Sequence, residues 1–323
     1  MRTNQMPKNR KRRPPRLEKP KKQYSLDQCG LYAIKGKGQL LSRLKVSAEE
    51  LLELCRKPGA YKVWNNDGRL VQEACPALRR VHARIATLLR RITPPNYRHS
   101  GVRRRSFLTN AQEHLAPFPT LKLDIKSFYP STTASHVWRF FSQVMQCSDD
   151  IAKILAEVCC YHGRHVPTGG VHSEVLSFYC HKPMLDLLYD RVTQRGGKMT
   201  VYVDDIVITM PNASLTDLEW VRRLMKQFGL TMHCRKSRVI RASEEKFITG
   251  VSVLNGRVSA PAGQHKMVKE LYQAIGSADP SEVDPANIRS LQGHLDHIAQ
   301  IEPGYQGKAR GNRMRYLDVL VQP

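Results

Sequence analysis

The chain has 323 residues, with 52 Lys and Arg against 28 Asp and Glu, for a formal net charge of +24. That length suffices for a sizeable core or for two or three subdomains, and the charge favours a polyanionic partner. No apolar run approaches the roughly eighteen residues of a membrane helix, the basic N-terminus lacks the apolar stretch of a secretory signal, and the eight cysteines form neither C-x-x-C nor a zinc spacing, so free thiols in a reducing cytoplasm are expected.

Residues 1–23 carry cations from Arg2 to Lys22 against one acid, Glu18, and Pro7, Pro14, Pro15 and Pro20 interrupt any helix. A disordered basic arm is expected, used for phosphate contact or simply solvated. From Leu26 to Leu54 the pattern is helical, with Ser47-Ala48-Glu49-Glu50 close to a capping box. Tyr61–Trp64 and Arg69–Val71 predict two strands, with Asn65-Asn66-Asp67-Gly68 as the turn. Lys62 and Arg69 on that hairpin are candidates to hold a phosphate-bearing ligand, or are surface cations. Pro76 to Ile92 predicts a basic helix with Leu78, Val81, Ile85, Leu88 and Leu89 on one face. On residue chemistry alone, His114 in the stretch Asn110-Ala111-Gln112-Glu113-His114 reads as a structural histidine.

A short apolar alternation, Leu121-Lys122-Leu123-Asp124, delivers an acid to a strand end, followed by Phe128 and Tyr129. Ala134 to Cys160 alternates helical stretches. Val166-Pro167-Thr168-Gly169-Gly170 then leads into a long apolar helix, and a glycine pair before a helix lets backbone approach a base pair or phosphate closely. About eighty residues after Asp124 come Asp204 and Asp205, at the tip of a hairpin between Met199–Val203 and Ile206–Met210. Adjacent half-buried carboxylates are costly unless a positive partner meets them. Alone they would also suit an ordinary acidic turn. With Asp124 they suit two-metal phosphoryl transfer, in which carboxylates from separate segments converge on ions about 3.5–4 Å apart. Leu215 to Phe228 predicts an amphipathic helix, and Leu230 to Ile240 a strand carrying Arg235, Lys236 and Arg238. Pro261 to Glu302 is helical. His294 and His297 sit three apart there without further ligands, so core or polyanion contact is favoured over a metal. The last twenty residues are again basic, a phosphate-seeking surface.

The two acidic segments, D-x-x-x-F-Y from Asp124 and Y-x-D-D from Tyr202, resemble motifs A and C of the reverse-transcriptase palm. The resemblance extends over roughly residues 60–305 and narrows to bacterial retron-type reverse transcriptases. Asn110, Ala111 and His114 match their N-A-x-x-H element, and Ile248-Thr249-Gly250 is similar to their V-T-G. The match makes the first of these an RNA-facing or palm-bracing element. Pro167, Gly169 and Ser173 match motif B, whereas Thr168 stands where the family usually has Gln and Glu174 where it usually has Pro. The resemblance implies an α+β fold, a right-hand polymerase of fingers, antiparallel-sheet palm and helical thumb. Its parts would be the arm at 1–23, N-terminal helices and fingers at 24–115, a palm at 116–250 with a fingers-like insert at about 135–170, and a thumb with a basic RNA-binding region at 251–323.

It implies catalysis by Asp124, Asp204 and Asp205, which hold two Mg2+ ions with the Ile125 carbonyl as an extra ligand. Deoxynucleoside triphosphates would meet Lys62, Arg69, Thr168, Gly169, the steric gate Tyr129, and Lys236, which otherwise reads as a surface lysine. The implied activity is RNA-directed DNA synthesis on a cognate structured non-coding RNA, primed from an RNA 2′-OH to give branched RNA–DNA (msDNA). The implied setting is anti-phage defence in the bacterial cytoplasm with an effector protein encoded nearby. No further domain is expected in the remaining length, so template removal falls to host RNase H. The rival readings are another bacterial reverse transcriptase, of group II intron or abortive-infection type, and a non-catalytic RNA-binding scaffold.

Overall fold

The computed structural model describes residues 23–56, 59–277 and 283–321; apart from residue 23, the basic arm expected at 1–23 lies outside them. The chain is a mixture of helix and sheet organised on one four-stranded antiparallel sheet, order β4-β5-β3-β6. Its strands are β3 (Thr120–Asp124), β4 (Lys198–Tyr202), β5 (Asp205–Thr209) and β6 (Arg238–Ile240). Side chains alternate between the faces of a strand. Leu121 and Leu123 of β3, with Met199, Val201, Ile206 and Ile208, therefore enter one large core, while Val207 enters a second core on the other face.

The first core is closed by helices from the N-terminal half and the middle of the chain. These are α1 (Lys37–Leu44), α2 (Ala48–Arg56), α3 (Pro76–Leu89), α5 (Phe128–Ser131), α6 (Ala134–Arg139), α7 (Asp149–Cys159), α8 (Ser173–Gln194) and α9 (Leu215–Gln227); α4 (Phe107–Gln112), between α3 and α5 in the chain, packs into the second core instead. Helix α3 starts with Pro76 in its first turn, where no N–H is missed, and buries the five apolar residues its spacing predicts, with His82 among them. The stretch 26–54 is less helical than expected: a 3-10 turn at Leu26–Gln28 precedes α1, and Lys45 caps α1 in the left-handed region. Residues 135–170 pack into the same core as the sheet, not into a core of their own.

The β-hairpin of β1 (Tyr61–Asn66) and β2 (Arg69–Ala74) stands apart as a two-stranded sheet. Asn65 and Asn66 are in the strand rather than the turn, because Asp67 and Gly68 both have positive φ and make a two-residue connection whose twist matches the strands. The expected strand over 230–240 forms only at its end. The amides of Lys236 and Ser237 both donate to the His233 carbonyl, at 3.1 and 3.0 Å, closing a turn that leaves only Arg238–Ile240 to pair with β3.

The second core joins β7 (Lys246–Ile248), β8 (Val251–Leu254) and β9 (Arg257–Ser259) to α10 (Ala262–Ser277), α11 (Pro285–Ile301), α12 (Gln306–Arg315) and α13 (Leu317–Val321). His294 meets Gln264 Oε1 at 2.6 Å, and His297 stacks on Phe107.

Candidate active site

The acids meet where β3 ends and the β4–β5 hairpin turns. Asp124 is the register partner of Asp205, and the Ile125 amide donates to the Asp204 carbonyl at 3.2 Å. Because Tyr202 pairs with Asp205, Val203 and Asp204 make a two-residue turn, and Val203 takes φ of 59°. A positive φ at the first central residue is the II′ arrangement usually given to glycine; a β-branched residue there is strained by about 1–3 kcal/mol. The turn sets Asp204 at the tip, with Asp205 as the first residue of the strand.

Asp124 is 6% exposed and fixed on three sides. Its amide donates to Ser237 Oγ at 3.1 Å, its carbonyl accepts from the His233 amide at 2.8 Å, and its carboxylate meets Lys236 Nζ at 3.3 Å. The turn that shortened the expected strand therefore delivers both Ser237 and Lys236 to the acid. Burial, reinforced by the Asp124 carboxylate and opposed by Arg69 and Lys236, raises the Asp204 carboxyl above its ordinary range. Burial also raises Asp205, against the pull of Lys122 and with added repulsion from Asp204 and Asp124.

Among the described residues no three His, Cys, Asp or Glu side chains close into a cage that would hold a metal unaided. Yet the donors are hard oxygens from two separate segments, Asp124 buried and the other two partly so, with each of the pair Asp204 and Asp205 raised partly by the other acids. That set fits Mg2+, which is ordinarily held by one or two carboxylates and completed by substrate phosphates.

The other expected site residues divide. Arg69 is near enough to lower both Asp204 and Tyr129. Lys62 on the same hairpin instead lies over the Trp64 ring, 5.9 Å from its centroid. Tyr129, in α5, is partly buried; burial, then Glu174 and Asp204, push its phenol up to about 12. Thr168 and Gly169 give their backbone amides to Gln72 of β2, to Oε1 at 2.9 Å and to the carbonyl at 3.2 Å. The close approach that Gly169 permits is thus to the hairpin: a Cβ there would lie 2.8 Å from the Gln72 carbonyl oxygen.

Three groups were not singled out from sequence. Ser237 braces Asp124, Gln72 braces the 167–170 loop, and Arg98 pairs with Glu174. His114 is fully buried with both ring nitrogens engaged, to Thr209 Oγ1 at 3.0 Å and Thr200 Oγ1 at 2.8 Å. Asn110 reaches Thr249 Oγ1 at 3.3 Å, and Thr249 in turn donates to the Phe107 carbonyl at 2.8 Å. The two elements thus tie α4 and the β7–β8 turn to the sheet, and His114 has no surface for RNA.

No family model matches the chain. Curated relatives do, among them three retron reverse transcriptases. The Retron Se72 reverse transcriptase of Salmonella heidelberg is 24% identical over 201 residues, 59% of this chain and 53% of that one. The Retron Ec86 reverse transcriptase of Escherichia coli is 23% identical over 202 residues, 61% and 60%. The Retron Mx65 reverse transcriptase of Myxococcus xanthus is 27% identical over 240 residues, 68% and 55%. The chain thus spans little more than half the length of these relatives. Among solved structures, apo telomerase from Candida tropicalis, truncated from the C-terminal domain, aligns with a TM-score of 0.43 at 13% identity, covering 63% of this chain and 55% of that one. In sequence the chain is similar to these retron reverse transcriptases.

Proposed function

We propose that the chain is an RNA-directed DNA polymerase of retron type. One observation carries this reading: Asp124 and the Asp204–Asp205 pair meet across adjacent strand ends, with Lys236 and Arg69 as the cations beside them. Clustered carboxylates that repel one another are costly to keep, and nucleotidyl transfer is a chemistry that uses them. Asp124, Asp204 and Asp205, with the Ile125 carbonyl, would hold two Mg2+ ions. When bound, the ions activate the primer hydroxyl and neutralise charge on the triphosphate and its leaving group.

The protein's own groups do the rest. Lys236 and Arg69 add positive charge where the triphosphate's negative charge grows. The Tyr129 ring lies beneath the incoming sugar and excludes a 2′-OH, which selects deoxynucleotides. The hairpin β1–β2 belongs to the fingers, the four-stranded sheet to the palm, and α10 and α11 to the thumb, within the boundaries 24–115, 116–250 and 251–323. The relatives' names support a retron reverse transcriptase. The proposed setting is a cognate non-coding RNA as template and primer, a 2′-OH start, branched msDNA, a nearby effector in anti-phage defence, template removal by RNase H, and a cytoplasmic location. No helix of the described residues is long and apolar enough to cross a membrane.

The test is Asp204→Ala combined with Asp205→Ala, assayed with poly(rA)·oligo(dT) and dTTP beside an RNA-binding measurement. DNA synthesis should fall by at least about a hundredfold, while RNA affinity, carried by the net charge of +24, is retained. Undiminished synthesis by the double variant would sink the assignment of the acids.

A further inference from the structure

The hairpin β1–β2 is poorly anchored for an element that brings a cation to the acids. Every β1 residue after Tyr61 is exposed, and only Gln72 and Ala74 are buried in β2. A two-stranded hairpin is marginal on its own in water. Its base is held: the Cys75 amide donates to the Ala60 carbonyl at 2.8 Å, and Tyr61 packs edge-on to Tyr161 at 5.0 Å. The tip, with Val63, Trp64 and Leu70, is open. Arg69 lies at that tip, three residues or about 10 Å of strand beyond Gln72.

Between base and tip, Gln72 makes a two-point junction with the loop before α8. Its side-chain oxygen accepts from the Thr168 amide at 2.9 Å and its main-chain carbonyl from the Gly169 amide at 3.2 Å. The side chain is 5% exposed, so the bond is shielded from competing water. The fit is close as well as polar: a Cβ at Gly169 would meet the Gln72 carbonyl oxygen at 2.8 Å and Val71 Cγ1 at 3.0 Å.

We propose that Gln72 is a positioning residue: by fastening the hairpin to the 167–170 loop it keeps the tip residue Arg69 on the side of the hairpin that faces the acids, where Arg69 receives the triphosphate. This rests on the polymerase reading above. Gln72 touches no reacting atom and acts through Arg69. The loop in question is the one that carries Thr168, and two of its amides are held by the hairpin.

The experiment compares Gln72→Met, which keeps length and loses the acceptor, with Gln72→Glu, which keeps an acceptor. Each is made alone and with Arg69→Ala. Hydrogen–deuterium exchange on the full chain is the first readout: Gln72→Met should speed exchange over 61–74 and at Thr168 and Gly169, while Gln72→Glu should not. The second is extension of poly(rA)·oligo(dT). Gln72→Met should raise KM for dTTP about tenfold, the scale of one ordinary hydrogen bond, with kcat held within a factor of about two. In the Arg69→Ala background it should add nothing further. Unchanged exchange, a lowered kcat at constant KM, or an additive effect with Arg69→Ala would each overturn the proposal. If wild type fails to extend while exchange responds as expected, the junction stands and the polymerase reading fails.

Discussion

In the proposed polymerase, sugar choice would rest on one side chain. Tyr129 follows Asp124 by five residues, is partly buried, and is within electrostatic reach of Asp204 and Arg69. Its aromatic volume, not its hydroxyl, is what would exclude a ribose 2′-OH. Overpacking of that size costs about 1–3 kcal/mol, or roughly tenfold to a hundredfold in rate. Tyr129→Val should therefore raise ribonucleotide incorporation relative to deoxynucleotide by that factor in single-nucleotide extension. A wild type that already prefers ribonucleotides would contradict DNA synthesis altogether. A mutant ratio that stays put would remove only the gate.

At the scale of elements, the first turn of α8 is bound to the 97–101 loop by an ion pair of Glu174 with Arg98. Its carboxylate accepts from Arg98 Nη2 at 2.9 and 3.1 Å and from Ser100 Oγ at 2.8 Å. The Arg98 side chain is 3% exposed and lies over Phe178, 4.4 Å from the ring centroid. Gly101, with φ of 64°, supplies the space: a Cβ there would meet Glu174 Oε2 at 2.8 Å. Removing one partner of a buried pair leaves the other charge uncompensated, at a cost of about 3 kcal/mol or more. Glu174→Ala is expected to lower the urea midpoint accordingly, and Glu174→Gln, which keeps an acceptor for Arg98, to lower it less. Equal midpoints for wild type and the alanine variant would show that the aromatic faces alone carry Arg98.

Over the whole molecule, histidines built into the cores couple folding to pH. Burial holds His82 down to about 4 and His114 and His181 to about 3, and it also places His172 well below its ordinary value of 6.5. An unfolded chain takes up these protons near pH 6.5, whereas the folded chain does so only at much lower pH. The stability they contribute is therefore complete above about pH 6.5 and is lost as pH falls toward the folded values. Each such histidine contributes roughly 1 kcal/mol per pH unit in that window. The urea midpoint should fall steeply between about pH 7 and about pH 5, before most carboxylates titrate. A flat midpoint there would mean that these imidazoles are already charged in the fold.

Local periodicity was enough to place Asp124 at a strand end and Asp204–Asp205 on a hairpin, to set the apolar face of α3, and to find the β1–β2 hairpin from its Asn-Asn-Asp-Gly stretch, though not to see that both asparagines stay in the strand. Each of these depends on neighbours within a few residues, where alternation and turn chemistry act directly on the backbone. What the periodicity could not carry was decided by contacts across the fold. Lys236 lies in a turn, not a strand, because Ser237 is drawn to the Asp124 amide, 113 residues away. His114 faces threonines of β4 and β5 because the side of the sheet away from the first core carries Thr200 and Thr209. Gln72 and Thr168 are 96 residues apart and Arg98 and Glu174 76 apart. A polar side chain of ordinary type leaves no periodic trace of a partner at that distance; only burial, which the tertiary structure sets, makes its hydrogen bonds obligatory.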